Sequence, residues 1–170
     1  MTRMLSTTAA IGASAAALLL AAVAVPVSAV GAAPPACGNA DLKASYKATD
    51  AAMSHRNGKI MVKNISGHRC TIAGYGGVSY VGGGNGTQVG APADRVPGNE
   101  DTVVLEPGDK AKSPISETVA GVYPKNECKP TAVDGFRVYV PNATVSQYIP
   151  HATTGCKNSA VHLMSHKPYR

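Results

Sequence analysis

The 170-residue chain has no tryptophan and a single phenylalanine. Its core must come from Val, Ile, Leu, Ala and Tyr, and small aliphatic side chains bury less area per residue. No Cys-x-x-Cys pair occurs, and the four cysteines lie far apart, which argues against a structural zinc site. There is no Gly-x-Ser-x-Gly elbow, and no spacing among the five histidines and ten acidic residues recommends a catalytic triad. The glycine run Gly82-Gly83-Gly84-Asn85-Gly86 lacks the Gly-Lys-Ser/Thr ending of a phosphate loop and reads as a flexible linker. The lysines are scattered and no basic run interleaves with aromatics, so nucleic acid is not an expected partner. Neither catalysis nor a cofactor is expected.

The chain has one long apolar stretch, Ala9 to Val25, preceded by Arg3 and followed by the helix breaker Pro26. The small-residue runs Val27-Ser28-Ala29 and Val30-Gly31-Ala32 both fit a signal-peptidase site. Residues 1–32 therefore read as a signal peptide, cleaved after Ala29 or after Ala32. A retained anchor would need a longer, less Ala-rich span, and no second apolar run follows. Lipidation at Cys37 is not expected, because Pro34 stands where a lipoprotein signal wants an aliphatic residue. Loss of Arg3 leaves fifteen basic residues against ten acidic, a net charge of +5. Such a surface suits an anionic envelope polymer or an acidic partner.

Residues 33–170 read as a single secreted domain, expected as a monomer, extracellular or associated with the cell wall. The four cysteines, Cys37, Cys70, Cys128 and Cys156, all fall in it, and an even count in an exported chain argues for disulfides. Spacing leaves three connectivities open.

Leu42, Ala44, Tyr46 and Ala48 alternate with polar residues as a half-buried strand does. Asn57-Gly58 signals a turn before Lys59–Lys63. Asn64-Ile65-Ser66-Gly67 signals another, before extended runs at Cys70–Ala73 and Val78–Val81. A long irregular segment covers residues 82–100 and carries the expected binding contacts. Further strands are expected at Thr102–Leu105, at Ala111–Val119 with Pro114 near an edge or bulge, at Phe136–Val140, and around Val161 and Leu163. Pro107-Gly108 suits a type II turn. About seven short strands with frequent Gly/Pro turns and no amphipathic helix imply an all-β fold, a β-sandwich of immunoglobulin-like type.

Along the last strand, His162, Met164 and His166 alternate and are expected to share the outer face, where imidazole and thioether groups suit copper. Met53 and His55 repeat the spacing. The sequons at Asn64, Asn85 and Asn142 read as turn chemistry.

The segment Asn64-Ile65-Ser66-Gly67-His68-Arg69-Cys70-Thr71-Ile72-Ala73-Gly74-Tyr75 resembles the core of a family of secreted actinobacterial domains, the domain of unknown function 4232. Other landmarks follow in the family's order. They are Cys37, the strand and turn Val104-Leu105-Glu106-Pro107-Gly108-Asp109-Lys110-Ala111, Cys128, Phe136-Arg137-Val138-Tyr139-Val140-Pro141, and Cys156. One departure is Gly76, where members commonly have proline, a change expected to loosen the turn. The resemblance covers residues 37 to 165. It implies a β-sandwich, the sequential disulfides Cys37–Cys70 and Cys128–Cys156, and an envelope or extracellular location, and it assigns no catalytic residue. The expected function is a non-catalytic extracellular binding or structural module. The alternatives are a secreted protease or hydrolase inhibitor acting through the loop between Gly121 and Cys128, and copper handling.

Overall fold

Strand formation follows from burial with a period of two. Between Lys110 and Thr118, the side chains of Ala111, Ser113, Ile115 and Glu117 are buried while Lys110 and Lys112 are exposed, as in a strand with one face on a core. The computed structural model describes residues 32–170. The signal-peptide expectation falls almost wholly outside them.

In chain order the strands are β1 (Leu42–Ala52), β2 (His55–Asn64), β3 (Cys70–Ile72), β4 (Gly77–Gly82), β5 (Thr87–Val89), β6 (Asp94–Arg95), β7 (Val103–Leu105), β8 (Lys110–Thr118), β9 (Pro130–Tyr139), β10 (Gln147–Cys156) and β11 (Met164–His166). A 3₁₀ turn at Ala120–Val122 and a single helical turn, α1 (Lys125–Cys128), complete the described residues. The fold is all-β. Strands β1-β2-β8-β11-β6 form one sheet, β10-β9-β4-β5 a second, and β3-β7 a third. The two larger sheets meet across a shared core that includes Leu42, Ile60, Val62, Tyr80, Ile115, Phe136, Val138 and Ile149. Tyr46 of β1 approaches Phe136 of β9 with ring centroids 5.2 Å apart. The disulfides Cys37–Cys70 and Cys128–Cys156 fasten the N-terminal residues to β3 and the end of α1 to the end of β10.

The described residues hold eleven strands rather than about seven, and five of them are only two or three residues long. Four local expectations change. Asn57-Gly58 is not a turn: β1 runs on to Ala52, the chain reverses at Met53-Ser54, and Gly58 lies inside β2 opposite Ala48. Glycine is needed there because a Cβ would sit 2.3 Å from the Tyr46 ring. The ring covers the bare backbone, and packing overrides local turn propensity. Pro114 lies in a central strand, not at an edge or bulge. Its carbonyl accepts from the Lys167 amide just after β11 ends at His166. Its missing N–H therefore falls where regular pairing has stopped. The run Gly82–Gly86 is no linker but the tip of the β4–β5 hairpin, with Gly83, Gly84 and Gly86 at positive φ. The rest of the 82–100 segment is tied down as far as Val96, through Ala93 N–H to Val78 O and Val96 N–H to His166 O. Strand β10 was hidden by Pro150, which is tolerated because β10 is an edge strand and its register shifts between Pro150 and Thr153.

Candidate functional site

Five side chains from five strands converge between the two large sheets. Glu117 of β8 is fully buried. Its Oε2 accepts from the Tyr80 hydroxyl and lies 2.9 Å from His151 Nε2, while Tyr46 Oη donates to Oε1 at 3.2 Å. The His151 ring stacks on Phe136 at 4.4 Å and meets the edge of Tyr46 at 4.8 Å. Burial alone would raise the Glu117 carboxyl. The hydrogen bonds from His151 and Tyr80 and the positive charges of His151 and Arg56 outweigh it, so Glu117 sits below its ordinary value. Burial, then the charge of Glu117, pushes Tyr46 up to about 12 and Tyr80 higher still. Both phenols therefore stay protonated as donors.

The carboxylate has no exposed atom, and the His151 side chain, 15 % exposed, separates it from solvent. Its hydrogen-bond partners are all side chains of neighbouring strands. It ties the sheets together as a satisfied network in a low-dielectric core. Its signal was present in the sequence: Glu117 shares the inward parity of Ala111, Ser113 and Ile115, and His151 that of Ile149.

The outer-face expectation for His162, Met164 and His166 is corrected. Met164 and His166 are buried, because β11 lies between β8 and β6 with its inner face on the core. His166 Nδ1 is 3.1 Å from Ser113 Oγ, and its ring meets Tyr75 edge-on at 5.6 Å. Burial and the nearby Arg95 charge depress His166 to about 4. His162 alone faces outward, its Nδ1 2.8 Å from Asp94 Oδ1. The three do not form one exposed ligand set. Met53 and His55 are exposed at the β1–β2 turn.

The landmarks from Cys37 to Asp109 converge on a second polar centre. Asn64 is fully buried. Its Nδ2 donates to His68 O at 2.9 Å and Leu105 O at 3.0 Å, and its Oδ1 accepts from Ser66 N and Oγ. Gly108 N–H returns to Asn64 O, closing the Pro107-Gly108 turn onto β2, and Gly108 has φ 94°. Cys70 pairs with Leu105 in the β3–β7 ladder and is bonded to Cys37. A family model described as a domain of unknown function, DUF4232, matches residues 37–168. The chain belongs to the DUF4232 family. No curated protein and no solved structure matches it.

The structure gives the DUF4232 landmarks a mechanical meaning. The buried amide of Asn64 sets the turn that delivers Cys70 to its partner, so this sequon is structural. Asn85 accepts from Thr87 N and Oγ1, and Asn142 adopts a left-handed conformation at φ 62°. Tyr75 donates to Val96 O at 2.7 Å. At Gly76 a Cβ would lie 2.3 Å from the Tyr139 carbonyl oxygen, so the glycine permits close backbone approach.

Beside the Cys128–Cys156 bridge lies a surface groove of about 370 Å3, lined among others by Arg56, Gly121, Tyr123, Lys125, Thr153 and Thr154. Arg56 sits directly across the β2–β8 ladder from Glu117. Its buried Nε has no hydrogen-bond partner. Sequence reading missed this residue because a lone arginine in a strand carries no motif.

Proposed function

We propose that this DUF4232 domain is a non-catalytic binding module of the extracellular space or cell envelope. The observation that carries the reading is a division of labour. The groups with catalytic chemistry, Glu117, His151 and His166, are engaged in contacts between strands, while an open groove beside the Cys128–Cys156 bridge is lined by Arg56, Lys125, Thr153 and Thr154, its two cations without an ion pair among the described residues. Export is supported by the apolar stretch after Arg3, the cleavage patterns at Ala29 and Ala32, and two disulfides of the kind that persist outside the cytosol. Cys37 is bonded to Cys70, which leaves no free thiol to carry a lipid. Among the described residues no helix is long and apolar enough to cross a membrane.

Affinity capture from an envelope extract, with the oxidised protein as bait, tests the reading. A polymer or protein retained above background supports it, and recovery of background alone counts against it.

One observation favours a second reading, inhibition of a secreted hydrolase. Val122 is 51 % exposed on a segment fixed at one end by Val119 N–H to Ser54 O and at the other by Cys128–Cys156. A rigid loop presenting an apolar residue suits insertion into a protease cleft. A panel of secreted hydrolases unaffected at micromolar protein would dismiss it.

A further inference from the structure

We infer that the groove beside the Cys128–Cys156 bridge is an oxyanion site, taking a carboxylate or phosphate group. The inference rests on the binding-module reading and names the ligand chemistry of its site. Arg56 and Lys125 supply the charge. Neither forms an ion pair among the described residues, although Arg56 faces Glu117 across the ladder. The hydrogen-bond donors to Glu117 are Tyr80, Tyr46 and His151; Arg56 acts on it through its charge alone and makes no hydrogen bond to it.

The Arg56 Nε–H is buried and lacks an acceptor. A buried donor without an acceptor raises the free energy of this arginine, and an oxyanion that draws the guanidinium toward the groove relieves that cost. No carboxylate lines the groove to compete for it, and Thr153 and Thr154 place two hydroxyls on the β10 wall. The walls are cross-linked. Arg56 sits in the β2–β8 ladder, and α1 is fastened to the end of β10 by Cys128–Cys156 and by Lys157 N–H to Lys129 O. A planar guanidinium fork beside a flexible ammonium and hydroxyl donors suits a group with two or three equivalent oxygens.

The test is an amide NMR titration of isotope-labelled, exported and oxidised protein. The probes are inorganic phosphate, acetate and poly-L-glutamate, and the variants are Lys125→Gln, Arg56→Gln and the remote control Lys43→Gln. Lys125 and Lys43 are both exposed, so those variants leave the fold intact. The expected result is shifts confined to Arg56, Gly121, Lys125, Thr153 and Thr154. Affinity should fall about five- to tenfold in Lys125→Gln and more in Arg56→Gln, with no change in Lys43→Gln. A stronger response to phosphate than to acetate assigns the site to phosphate, and the reverse to carboxylate; poly-L-glutamate binding at the same residues shows that a polymer-borne group is accepted. Shifts spread over surface lysines, equal weakening by Lys43→Gln, or no response to any probe overturns the site. Envelope material captured equally by the parent and by Arg56→Gln/Lys125→Gln would overturn the groove while leaving the binding-module reading standing. Failure of the parent to capture anything would overturn that reading itself.

Discussion

Replacing Glu117 by glutamine should destabilise the domain more than any other isosteric change in its core. The carboxylate is fully buried and receives hydrogen bonds from Tyr80, His151 and Tyr46. Glutamine keeps the volume but presents one acceptor oxygen, and its NH₂ must point at a group that was donating. At least one buried donor is left without an acceptor, at about 1–3 kcal/mol, and the charge-assisted character of the remaining bonds is lost. Breaking a buried charged cluster from one side costs about 3–5 kcal/mol in general, so a loss of roughly 3 kcal/mol is expected for Gln and more for Leu. For a domain of this size that lowers Tm by about 10 °C.

Calorimetry of the oxidised protein at pH 7 measures the loss directly. A double-mutant cycle with Tyr80→Phe should give a coupling of at least about 1 kcal/mol, because the two side chains share one bond. The pH dependence supplies an independent check. Glu117 titrates below its ordinary value of 4.5 in the folded protein. Its stabilisation is therefore complete above that value and disappears as pH falls through the lower folded value. The parent should lose stability below pH 4.5 more steeply than Glu117→Gln. A Gln variant within about 0.5 kcal/mol of the parent, with an unchanged acid limb, would refute the clamp.

Other outcomes follow from the same structure. His166 is depressed from 6.5 to about 4, so its contribution is whole above pH 6.5 and falls away as pH drops to 4. The loss should reach about 3 kcal/mol across that window, and denaturant midpoints measured from pH 7 to 4 should show a flatter slope in His166→Asn. Gly58→Ala drives a Cβ to within 2.3 Å of the Tyr46 ring and should cost about 2 kcal/mol by chemical denaturation, less when Tyr46 is already Leu. Replacing Cys37 and Cys70 together by Ala opens a 33-residue loop and should remove roughly 3.5 kcal/mol, as should opening the 28-residue loop of Cys128 and Cys156. Thermal unfolding of each pair variant reads the difference.

Period-two patterning made the long strands legible, because one-sided burial writes itself into alternation. β1 and the Phe136 half of β9 follow it directly. Where the sequence misled, tertiary contacts had overruled a local signal. Asn57-Gly58 has the composition of a hairpin turn, but the glycine serves the Tyr46 ring and the true reversal, Met53-Ser54, carries no turn residue. Pro150 disguised β10, since an edge position cannot be recognised before the sheet order is known. The copper expectation for His162, Met164 and His166 assumed one solvent face. That assumption fails for a short strand inserted between β8 and β6, with Met164 and His166 turned toward the core. The Glu117 network was half visible through its inward parity, but its partners lie 34 to 71 residues away along the chain, and only the packing of two sheets brings them together. The Arg56 groove was invisible for the same reason.

The most direct test of a rigid extracellular binding module is photo-crosslinking in the native envelope, with probes at residue 122 beside the groove and at residue 43 on the remote edge strand, read by mass spectrometry. The predicted result is a mature chain beginning at residue 30 or 33, Cys37–Cys70 and Cys128–Cys156 intact, and a defined anionic adduct from position 122 but not from position 43. An uncleaved chain, or adducts no different between the two positions, would contradict it.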